Sequence, residues 1–329
     1  MDLSFRSAQR CLQEWAPATP LLAATDASLE VTSSSTEPPR LMEAPVVEGD
    51  TLRAISISGG PDVGFAAFLD GVQRSRVLGY HAGLPMVFGV AAAVVRVRVD
   101  RRLRTWRGAP RVSRKVYLPV SFAPPDLPAY FEREGVQVVD TTEVEDGAQP
   151  PVRHPFTLLD LAVHRVQEER ERLEQELAEE WCGSERAPLF IDGGLSRSDG
   201  VAGSACAVGV VKSHRTLYVE GDALERVFAL QRGERSSVFR LSSSWRASVA
   251  SWYLRLRDPA GHSPLWGLVR VEVADPEALG EDTKELTQRA DRISRWILAE
   301  VSPLALPDGR WDRMVYGIRD CEEFLRASI

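Results

Sequence analysis

Cysteine is scarce in the sequence, and no apolar run is long enough to cross a membrane. The 329 residues include four cysteines, Cys11, Cys182, Cys206 and Cys321, and no two of them form a CxxC pair. This spacing argues against a zinc ribbon or a disulfide framework, and it favours a reducing cytoplasm. No apolar stretch approaches the roughly 18 residues of a membrane-spanning helix. The first residues also lack the basic-then-apolar order of a secretory signal, so we expect a cytoplasmic protein without a membrane segment.

Several familiar catalytic patterns are also missing. The five histidines form neither an HxH nor an HExxH pattern, which argues against a zinc hydrolase. The GxSxG elbow of serine hydrolases does not occur. The glycine-rich run DGGLSRSDGVAG, which begins at Asp192, has no Walker lysine at the required spacing, so an ATPase is not supported. An ATP-driven step would therefore have to come from a partner protein.

Basic residues are concentrated in one stretch, although the chain as a whole is acidic. The formal net charge is −7, with 44% hydrophobic and 26% charged residues, which is ordinary for a globular protein. Residues 95–115 nevertheless carry nine cations against the single acid Asp100: Arg96, Arg98, Arg101, Arg102, Arg104, Arg107, Arg111, Arg114 and Lys115. Such a stretch can follow a phosphate backbone, and we expect its first six arginines to bind nucleic acid. The alternative is a solvated sheet edge that its arginines keep soluble.

The composition of the chain changes near residue 55. Residues 1–20 are predicted to form one helix, and residues 21–50 are rich in Ser, Thr and Pro, so residues 1–55 are interpreted as an N-terminal helix and an irregular arm. From residue 64 the pattern becomes strand-like. GFAAFLDG predicts a buried strand, QRSR a turn, and VVRVRV a strand with one apolar and one basic face. Residues 56–329 are interpreted as one α/β domain.

Helical periodicity is clearest between residues 157 and 182. Apolar residues recur there at helical spacing, and Thr157 with Asp160 fits a capping box at the start. The strand LFID follows at once, ACAVGVVKSH predicts another strand, and SWYLRLRD with WGLVRVEVAD predicts a hairpin. Two further helices, EDTKELTQRADRISRWILAEVS and DCEEFLRASI, complete the pattern. This order predicts a mixed α/β fold, in which a sheet is flanked by helices and extended by antiparallel hairpins.

Two aspartates follow apolar runs and precede glycine. Asp70 comes after FAAFL and before Gly71, and Asp192 comes after LFI and before Gly193 and Gly194. A carboxylate at the end of a buried strand is costly unless it has a partner, and a divalent metal is one such partner. Two metals held by several carboxylates can stabilise both the attacking and the leaving oxygen in phosphoryl transfer. The alternative is an ordinary Asp-Gly turn that accepts local backbone hydrogen bonds.

Four short motifs, taken in order, resemble those of the NurA-type nuclease family. The segments are AFLDGVQRSR, then RERLEQELAEEW with PLFIDGGLS, then AVGVVKSH, and last GLVRVEVADP. The resemblance covers roughly residues 60 to 329, and the common order of the motifs carries it. The family has an RNase H-like core, so the resemblance implies an RNase H-like mixed sheet in a nuclease domain that spans residues 56–329.

The resemblance implies a metal-dependent DNA nuclease and assigns its ligands residue by residue. Asp70 and Asp192 would be metal-binding carboxylates. Glu174, on the helix that precedes Asp192, would be the third, with Glu171 and Glu176 as the neighbouring alternatives. The cofactor would be Mn²⁺ or Mg²⁺, with two ions in the site, and its chemistry would be the activation of water against a phosphodiester.

The match is incomplete at the C-terminus and in both glycine turns. Lys212 resembles the family's strand lysine and would contact a phosphate or the developing charge. The last helix of the family usually supplies a histidine, and Asp320 stands near that position, either as a replacement ligand or as a solvated helix acid. Val72 and Gly194 stand where the family has serine. A non-catalytic subunit that binds DNA or an ATPase through a degenerate site is therefore the alternative function.

The resemblance also implies partners and substrates. A NurA-type nuclease is a homodimer that works with a hexameric HerA-like ATPase, which would feed DNA into it. The substrates would be single-stranded DNA and duplex ends, cut as an exonuclease or endonuclease in DNA repair or phage defence. A further alternative is an RNase H-like enzyme acting on RNA or on an RNA–DNA hybrid, because contact to the 2′-hydroxyl decides that preference.

Overall fold

The computed structural model describes residues 4–17, 28–29, 38–100, 102–143, 151–243, 246–301 and 315–329. The helices are α1 (Phe5–Trp15), α2 (Asp126–Arg133), α3 (Pro155–Ser184), α4 (Asp199–Ala202), α5 (Gly221–Ala229), α6 (Pro276–Leu279), α7 (Thr283–Glu300) and α8 (Tyr316–Ser328). The strands are β1 (Ser28–Leu29), β2 (Arg40–Leu41), β3 (Ala54–Ser56), β4 (Ala67–His81), β5 (Leu84–Val99), β6 (Arg102–Thr105), β7 (Arg111–Leu118), β8 (Val138–Asp140), β9 (Leu189–Asp192), β10 (Ala207–Val211), β11 (Thr216–Leu217), β12 (Glu234–Ser236), β13 (Phe239–Ser243), β14 (Arg246–Arg255) and β15 (Leu268–Ala274).

One large mixed sheet organises the described residues. Its continuous path is β3-β12-β14-β15-β10-β9-β4-β5-β7-β8, with β1, β6 and β13 paired to β4, β5 and β14. The strands β4, β5 and β7 form an antiparallel meander, whereas β9 runs parallel to β4 and β10 runs parallel to β9. The central order β7-β5-β4-β9-β10 is that of an RNase H-like sheet, and the β14–β15 hairpin extends it in antiparallel fashion. The predicted fold class is therefore confirmed.

The helices cover both faces of this sheet. Phe68 and Phe190 point to the face that packs against α7 and α8, whereas Leu69 and Ile191 point to the face that packs against α3. This division follows from the alternation of side chains along a strand. Fully burying an apolar side chain of this size stabilises a fold by about 1.5–3 kcal/mol, so the two cores fix α3 and α8 on opposite sides of β4 and β9.

The long helix α3 begins earlier than its expected capping box. It starts at Pro155, and the ring of His154 accepts a hydrogen bond from the N–H of Phe156 as the N-cap. The prediction of a helix between residues 157 and 182 is confirmed, but the capping box at Thr157 and Asp160 is wrong. Proline suits the first helical position because its missing N–H would have no partner there and its φ is already helical.

The strand β4 is longer than the sequence suggested. The turn expected at QRSR is wrong, since the chain reverses at Ala82 and Gly83, whose φ values are 47° and 81°. The strand β5 pairs with β4 along nearly its whole length. Arg74, inside the expected turn, donates a hydrogen bond to the carbonyl oxygen of Ile329 at 2.9 Å. A polar run of this kind stays in a strand when a neighbouring strand satisfies its backbone groups.

The N-terminal region packs onto the domain wherever the structure describes it. The predicted first helix is present as α1, which buries Ala8 and Leu12 in a cluster with β4, β5 and α2. The boundary predicted between residues 55 and 56 falls inside β3, which pairs with β12. Residues 18–27 and 30–37 of the expected arm lie outside the described residues. In the part of the chain that is described, no helix has the length and apolarity needed to cross a membrane.

A buried ion pair ties the segment before β3 to the sheet. The carboxylate of Glu48 accepts hydrogen bonds from Nη1 and Nη2 of Arg235 at 2.6 and 2.9 Å and from the N–H of Val238 at 2.9 Å. The side chain of Arg235 is fully buried, and Asp291 contacts it from the other side at 2.6 Å. A buried guanidinium needs this compensation because water cannot solvate it.

The substitution Glu48→Gln is expected to lower the free energy of unfolding by about 2–4 kcal/mol, because the buried Arg235 would lose the more deeply buried of its two carboxylate partners. The matched control is Glu277→Gln, whose side chain is 77% exposed in its pair with Arg240. That variant is expected to lose less than about 0.5 kcal/mol. Urea denaturation of both variants measures the difference, and equal losses would contradict the assigned role of Glu48.

Candidate metal centre

Asp70 and Asp192 lie side by side where one strand of the sheet ends. The parallel strands β4 and β9 are paired up to Leu69 and Ile191, and an aspartate follows in each. Asp192 is the last residue of β9, as predicted. The prediction that Asp70 also ends its strand is wrong, because Asp70 lies within β4 and pairs with Val94 of β5. The strand β5 supplies backbone partners to β4 beyond the point where β9 stops, which leaves a notch beside Asp70.

The helix α3 brings Glu174 into the same notch, directly over Gly71. A Cβ atom on Gly71 would lie 2.3 Å from Oε1 of Glu174 and 3.0 Å from both the carbonyl oxygen of Ala92 and Cγ of Arg170. The φ angle of Gly71 is not in the left-handed region. Glycine is therefore required here for close approach of the helix and not for a turn.

Asp70 is buried with incomplete hydrogen bonding. Its Oδ1 accepts a hydrogen bond from the next N–H at 2.8 Å, whereas its buried Oδ2 has no hydrogen-bond partner among the described residues. Burial raises the pKa of Asp70 well above its usual range, the negative charges of Asp192, Glu174 and Glu322 act in the same direction, and Lys212 opposes them. The notch therefore carries more negative charge than the surrounding side chains compensate.

Glu174 shares this environment. Burial raises the pKa of Glu174 to about 7, with the charges of Asp192 and Glu171 adding to the effect and Arg170 opposing it. Arg170 Nη1 donates to Glu174 Oε1 at 2.5 Å, and Arg170 Nε donates to Gln73 Oε1 at 3.0 Å. Arg170 thus links the helix to β4 and holds the carboxylate of Glu174 in place.

The lysine predicted from the sequence lies at the same site. Lys212 follows β10, and its Nζ donates to Oδ2 of Asp192 at 2.6 Å. The parallel pairing of Val210 with Asp192 brings the two side chains together. The structure therefore brings together Asp70, Glu174, Asp192 and Lys212.

The two other helix glutamates have different partners. Glu171 is ion-paired with Arg197, which lies after β9. Glu176 is ion-paired with Arg172 and with Arg111, the latter at 2.9 Å. Of the three glutamates considered from the sequence, Glu174 is the one that faces Gly71.

The acids of α8 point to different neighbours. Asp320, the residue proposed from the sequence, accepts a hydrogen bond from Nε of Arg96 at 2.6 Å. Glu322, two residues later, has a side chain that is only 13% exposed and pairs with Arg326 at 3.5 Å, and its charge contributes to the raised pKa of Asp70. The sequence analysis did not single out Glu322, and a spacing of two residues places it on a different face of the helix from Asp320.

Much of the basic stretch is ion-paired. The pairs are Arg96–Asp320, Arg98–Glu300, Arg107–Glu180, Arg111–Glu176 and Lys115–Glu169. Arg102 and Arg104 are exposed, and Arg101 lies outside the described residues. The side chain of Arg107 is 57% exposed despite its pair. Acids of α3, α7 and α8 thus compensate several of these cations, and Arg102, Arg104 and Arg107 remain accessible to an external phosphate.

A cavity of about 300 Å³ opens beside the carboxylates. Glu174 and Asp192 line one part of it, and Arg197, Arg246 and Arg270 line another. The loop 193–198 after β9 completes the wall. Acidic groups and arginines therefore share one cavity, which suits a ligand that carries phosphate and binds beside a cation.

An ion pair between Arg270 and Glu272, which the sequence analysis did not single out, supports the cavity wall. Arg270 Nη2 donates to Glu272 Oε1 at 2.7 Å, and the other oxygen of Glu272 accepts from the N–H of Leu195 at 2.7 Å. A Cβ on Gly194 would lie 2.9 Å from Glu272 Oε2, which explains why glycine follows Asp192-Gly193. Arg270 is 9% exposed, and its buried Nε has no partner among the residues described.

The donors present fit a hard divalent cation. The converging side chains offer only carboxylate oxygens, which Mn²⁺ and Mg²⁺ prefer, and the unpartnered Oδ2 of Asp70 is available as a ligand. As the described residues stand, no three Asp, Glu, His or Cys side chains are grouped as metal ligands. Arg170 and Lys212 instead hold two of the carboxylates.

Comparisons with known proteins give structural likenesses but no match in sequence. No family model matches the sequence, and no curated protein is significantly similar to it. Among solved structures, the chain is similar to the NurA nuclease from Sulfolobus solfataricus, with a TM-score of 0.45 and 11% identity over 86% of this chain and 81% of that chain. A likeness at this level does not establish a family, so the geometry of the site carries the functional assignment.

The substitution Gly71→Ala is expected to lower the free energy of unfolding by about 1–3 kcal/mol, because the added methyl group would displace Glu174 and Arg170. Gly60→Ala is the control, since a Cβ at Gly60 meets nothing within 4 Å. That variant is expected to change stability by less than about 1 kcal/mol. Denaturant titration of both variants provides the measurement. An unchanged free energy of unfolding for Gly71→Ala would contradict the close approach of α3 to Gly71.

The substitution Glu174→Gln is expected to stabilise the metal-free protein at pH 8. The folded-state pKa of about 7 lies above the ordinary value of 4.5, so the wild type loses stability as the pH rises between these values. The amide carries no charge at any pH and avoids this loss, which is on the order of 3 kcal/mol. Melting curves in chelator at pH 5 and pH 8 test this. The melting temperature of the variant should exceed that of the wild type by more at pH 8 than at pH 5. An equal difference at the two pH values would contradict the raised pKa of Glu174.

Proposed function

We propose that the protein is a metal-dependent nuclease that hydrolyses phosphodiester bonds in DNA. The observation that carries the proposal is the convergence of Asp70, Glu174 and Asp192 from β4, α3 and β9 in one buried notch. Burial and mutual repulsion raise the pKa of both Asp70 and Glu174. A divalent cation between the carboxylates would offset both the cost of burying their charges and their mutual repulsion. That gain is a physical reason for these acids to lie together.

Asp70, Glu174 and Asp192 would hold the ions, and we propose two of them, Mn²⁺ or Mg²⁺. Glu322 would be the fourth carboxylate, because its charge acts on Asp70 and its pair with Arg326 is long at 3.5 Å, whereas Arg96 holds Asp320 at 2.6 Å. When bound, such ions polarise a phosphoryl oxygen and lower the pKa of water, which is the chemistry that phosphodiester hydrolysis needs.

The cations of the site would hold the substrate. Lys212 and Arg170 neutralise carboxylates in the structure, and an ion bound by those carboxylates would leave both side chains to phosphate oxygens. Arg197, Arg246 and Arg270 line the same cavity and would bind phosphates that flank the reacting one. Arg270 is held in place by Glu272, so it would lose little side-chain entropy on binding.

The size of the cavity supports a single strand as the substrate. A volume of about 300 Å³ has room for a short piece of one strand. A duplex end would enter it after the two strands separate. This favours single-stranded DNA and frayed duplex ends over the interior of a duplex.

The wider setting is proposed from the sequence resemblance. A homodimer working with a hexameric HerA-like ATPase would supply the translocation that this chain, which has no Walker lysine, does not provide. DNA repair and phage defence are both compatible with such a pair.

One observation favours a second function, a non-catalytic DNA- or ATPase-binding subunit. Glu174 and Asp192 already have cationic partners, so part of the charge in the notch is compensated without metal. A protein that had lost its metal would keep the fold and the arginine-lined cavity. Metal binding and cleavage, measured separately, distinguish the two functions.

With Mn²⁺, the purified protein is expected to cleave end-labelled single-stranded DNA and duplex ends, and a chelator is expected to stop it. Asp192→Asn should lower the rate at least about 100-fold, because it removes a ligand charge. The matched control is Glu176→Gln, on the same helix as Glu174 but outside the cavity lining. It should keep the rate within about threefold, since its partners Arg111 and Arg172 lie away from the notch.

Further arms of the same assay separate the alternatives. Glu322→Gln should reduce cleavage more than Asp320→Asn if Glu322 is the fourth carboxylate. Calorimetric titration with Mn²⁺ reports metal binding without activity. Binding of Mn²⁺ with no cleavage, even when the HerA-like ATPase is added, would favour the binding subunit. Cleavage of an RNA–DNA hybrid in preference to DNA would favour an RNase H-like enzyme, and absence of both binding and cleavage would refute the metal site.

A further inference from the structure

Two thiols meet between the end of α3 and the start of β10. The Sγ atoms of Cys182 and Cys206 are 3.8 Å apart, and both residues belong to the core cluster between α3 and the sheet. This distance is a direct contact, and a disulfide requires the sulfurs to come to about 2.05 Å.

The other two cysteines lie in different parts of the core. Cys11 packs in the cluster under α1, and Cys321 packs under α8, where it contacts the carbonyl oxygen of Phe68 at 3.5 Å. Cys321 is fully buried, whereas Cys11 and Cys182 are each 8% exposed and Cys206 is 6% exposed. Exposure therefore separates the Cys182–Cys206 pair from Cys321, and the contact between two sulfurs separates it from Cys11.

The surroundings of Cys206 favour its reactive form. The Oγ of Ser204 lies 3.2 Å from Cys206 Sγ. Contact with Cys182 lowers the pKa of Cys206, and Ser204 and Arg186 act in the same direction. The thiolate is the nucleophile in thiol oxidation, so Cys206 is suited to react first and Cys182 to resolve the product.

We propose that Cys182 and Cys206 form a site of oxidative modification, at which a small oxidant such as hydrogen peroxide produces an intramolecular disulfide. The sulfur of Cys206 attacks one peroxide oxygen and becomes a sulfenic acid, with one water formed. The sulfur of Cys182 then attacks the sulfenic sulfur and displaces a second water. The two thiols lose two electrons and two protons in all, and one peroxide is reduced to two waters.

The bond would enclose the segment that carries Asp192 and part of the cavity wall. Residues 182–206 include β9, Asp192 and the loop 193–198 that lines the cavity. The disulfide would join the helix that bears Glu174 to the strand that leads to Lys212. The inference does not depend on the proposed nuclease function, because it needs only the two thiols and their contact.

The test is oxidation of the purified full chain with hydrogen peroxide, followed by thiol counting after denaturation and by peptide mapping without reductant. The thiol count of the wild type is expected to fall from four to two, and dithiothreitol should restore it. The mass should fall by about 2 Da, the two hydrogens lost. Trypsin should release residues 173–186 linked to residues 198–212, since arginine or lysine ends each segment.

Two variants control the assignment. Cys206→Ser should keep its three remaining thiols under the same treatment, and Cys11→Ser should fall from three to one. The wild type alone decides the matter if a variant fails to fold. A wild-type count that stays at four would overturn the proposal, as would peroxide that adds oxygen to Cys206 without linking the two peptides.

Discussion

The parallel pairing of β4 with β9 is the constraint on which the rest of the site depends. It aligns Leu69 with Ile191, so the next residue of each strand is an aspartate on the same side of the sheet. The end of β9 opens a notch there, and Gly71 lets α3 approach closely enough to add Glu174. A shift of this register by one residue would turn one aspartate to the opposite face and separate the pair.

The notch holds a balance between like charges and the cations that restrain them. Burial and neighbouring carboxylates raise the pKa of Asp70 and Glu174, while Lys212 and Arg170 limit the cost by pairing with Asp192 and Glu174. A divalent cation bound between the acids, as proposed, would relieve the repulsion that these cations leave uncompensated. This arrangement explains how a cluster of buried acids can coexist with a well-packed sheet.

Charge elsewhere in the chain has mainly a structural role. Arg96 and Arg98 of the basic stretch pair with acids of α8 and α7, and Arg235 holds the segment before β3 through Glu48. Several glutamates of the long acidic helix α3 likewise form ion pairs with arginines and with Lys115. Arg102, Arg104 and Arg107, which are exposed, and the arginines of the cavity are among the basic residues that an external phosphate could reach.

The sequence by itself determined the fold class, the long helix and the hairpin, because local periodicity reports on helices and strands. The family resemblance singled out Asp70, Glu174, Asp192 and Lys212, which the structure brings together. Only the tertiary structure decided that β4 continues past Asp70 and that α8 pairs Asp320 with Arg96 and brings the charge of Glu322 to bear on Asp70. It also decided that Arg270 and Glu272 support the cavity. These features depend on which strand or helix lies beside a residue. Such contacts join segments far apart in the chain, and a local pattern contains no information about them.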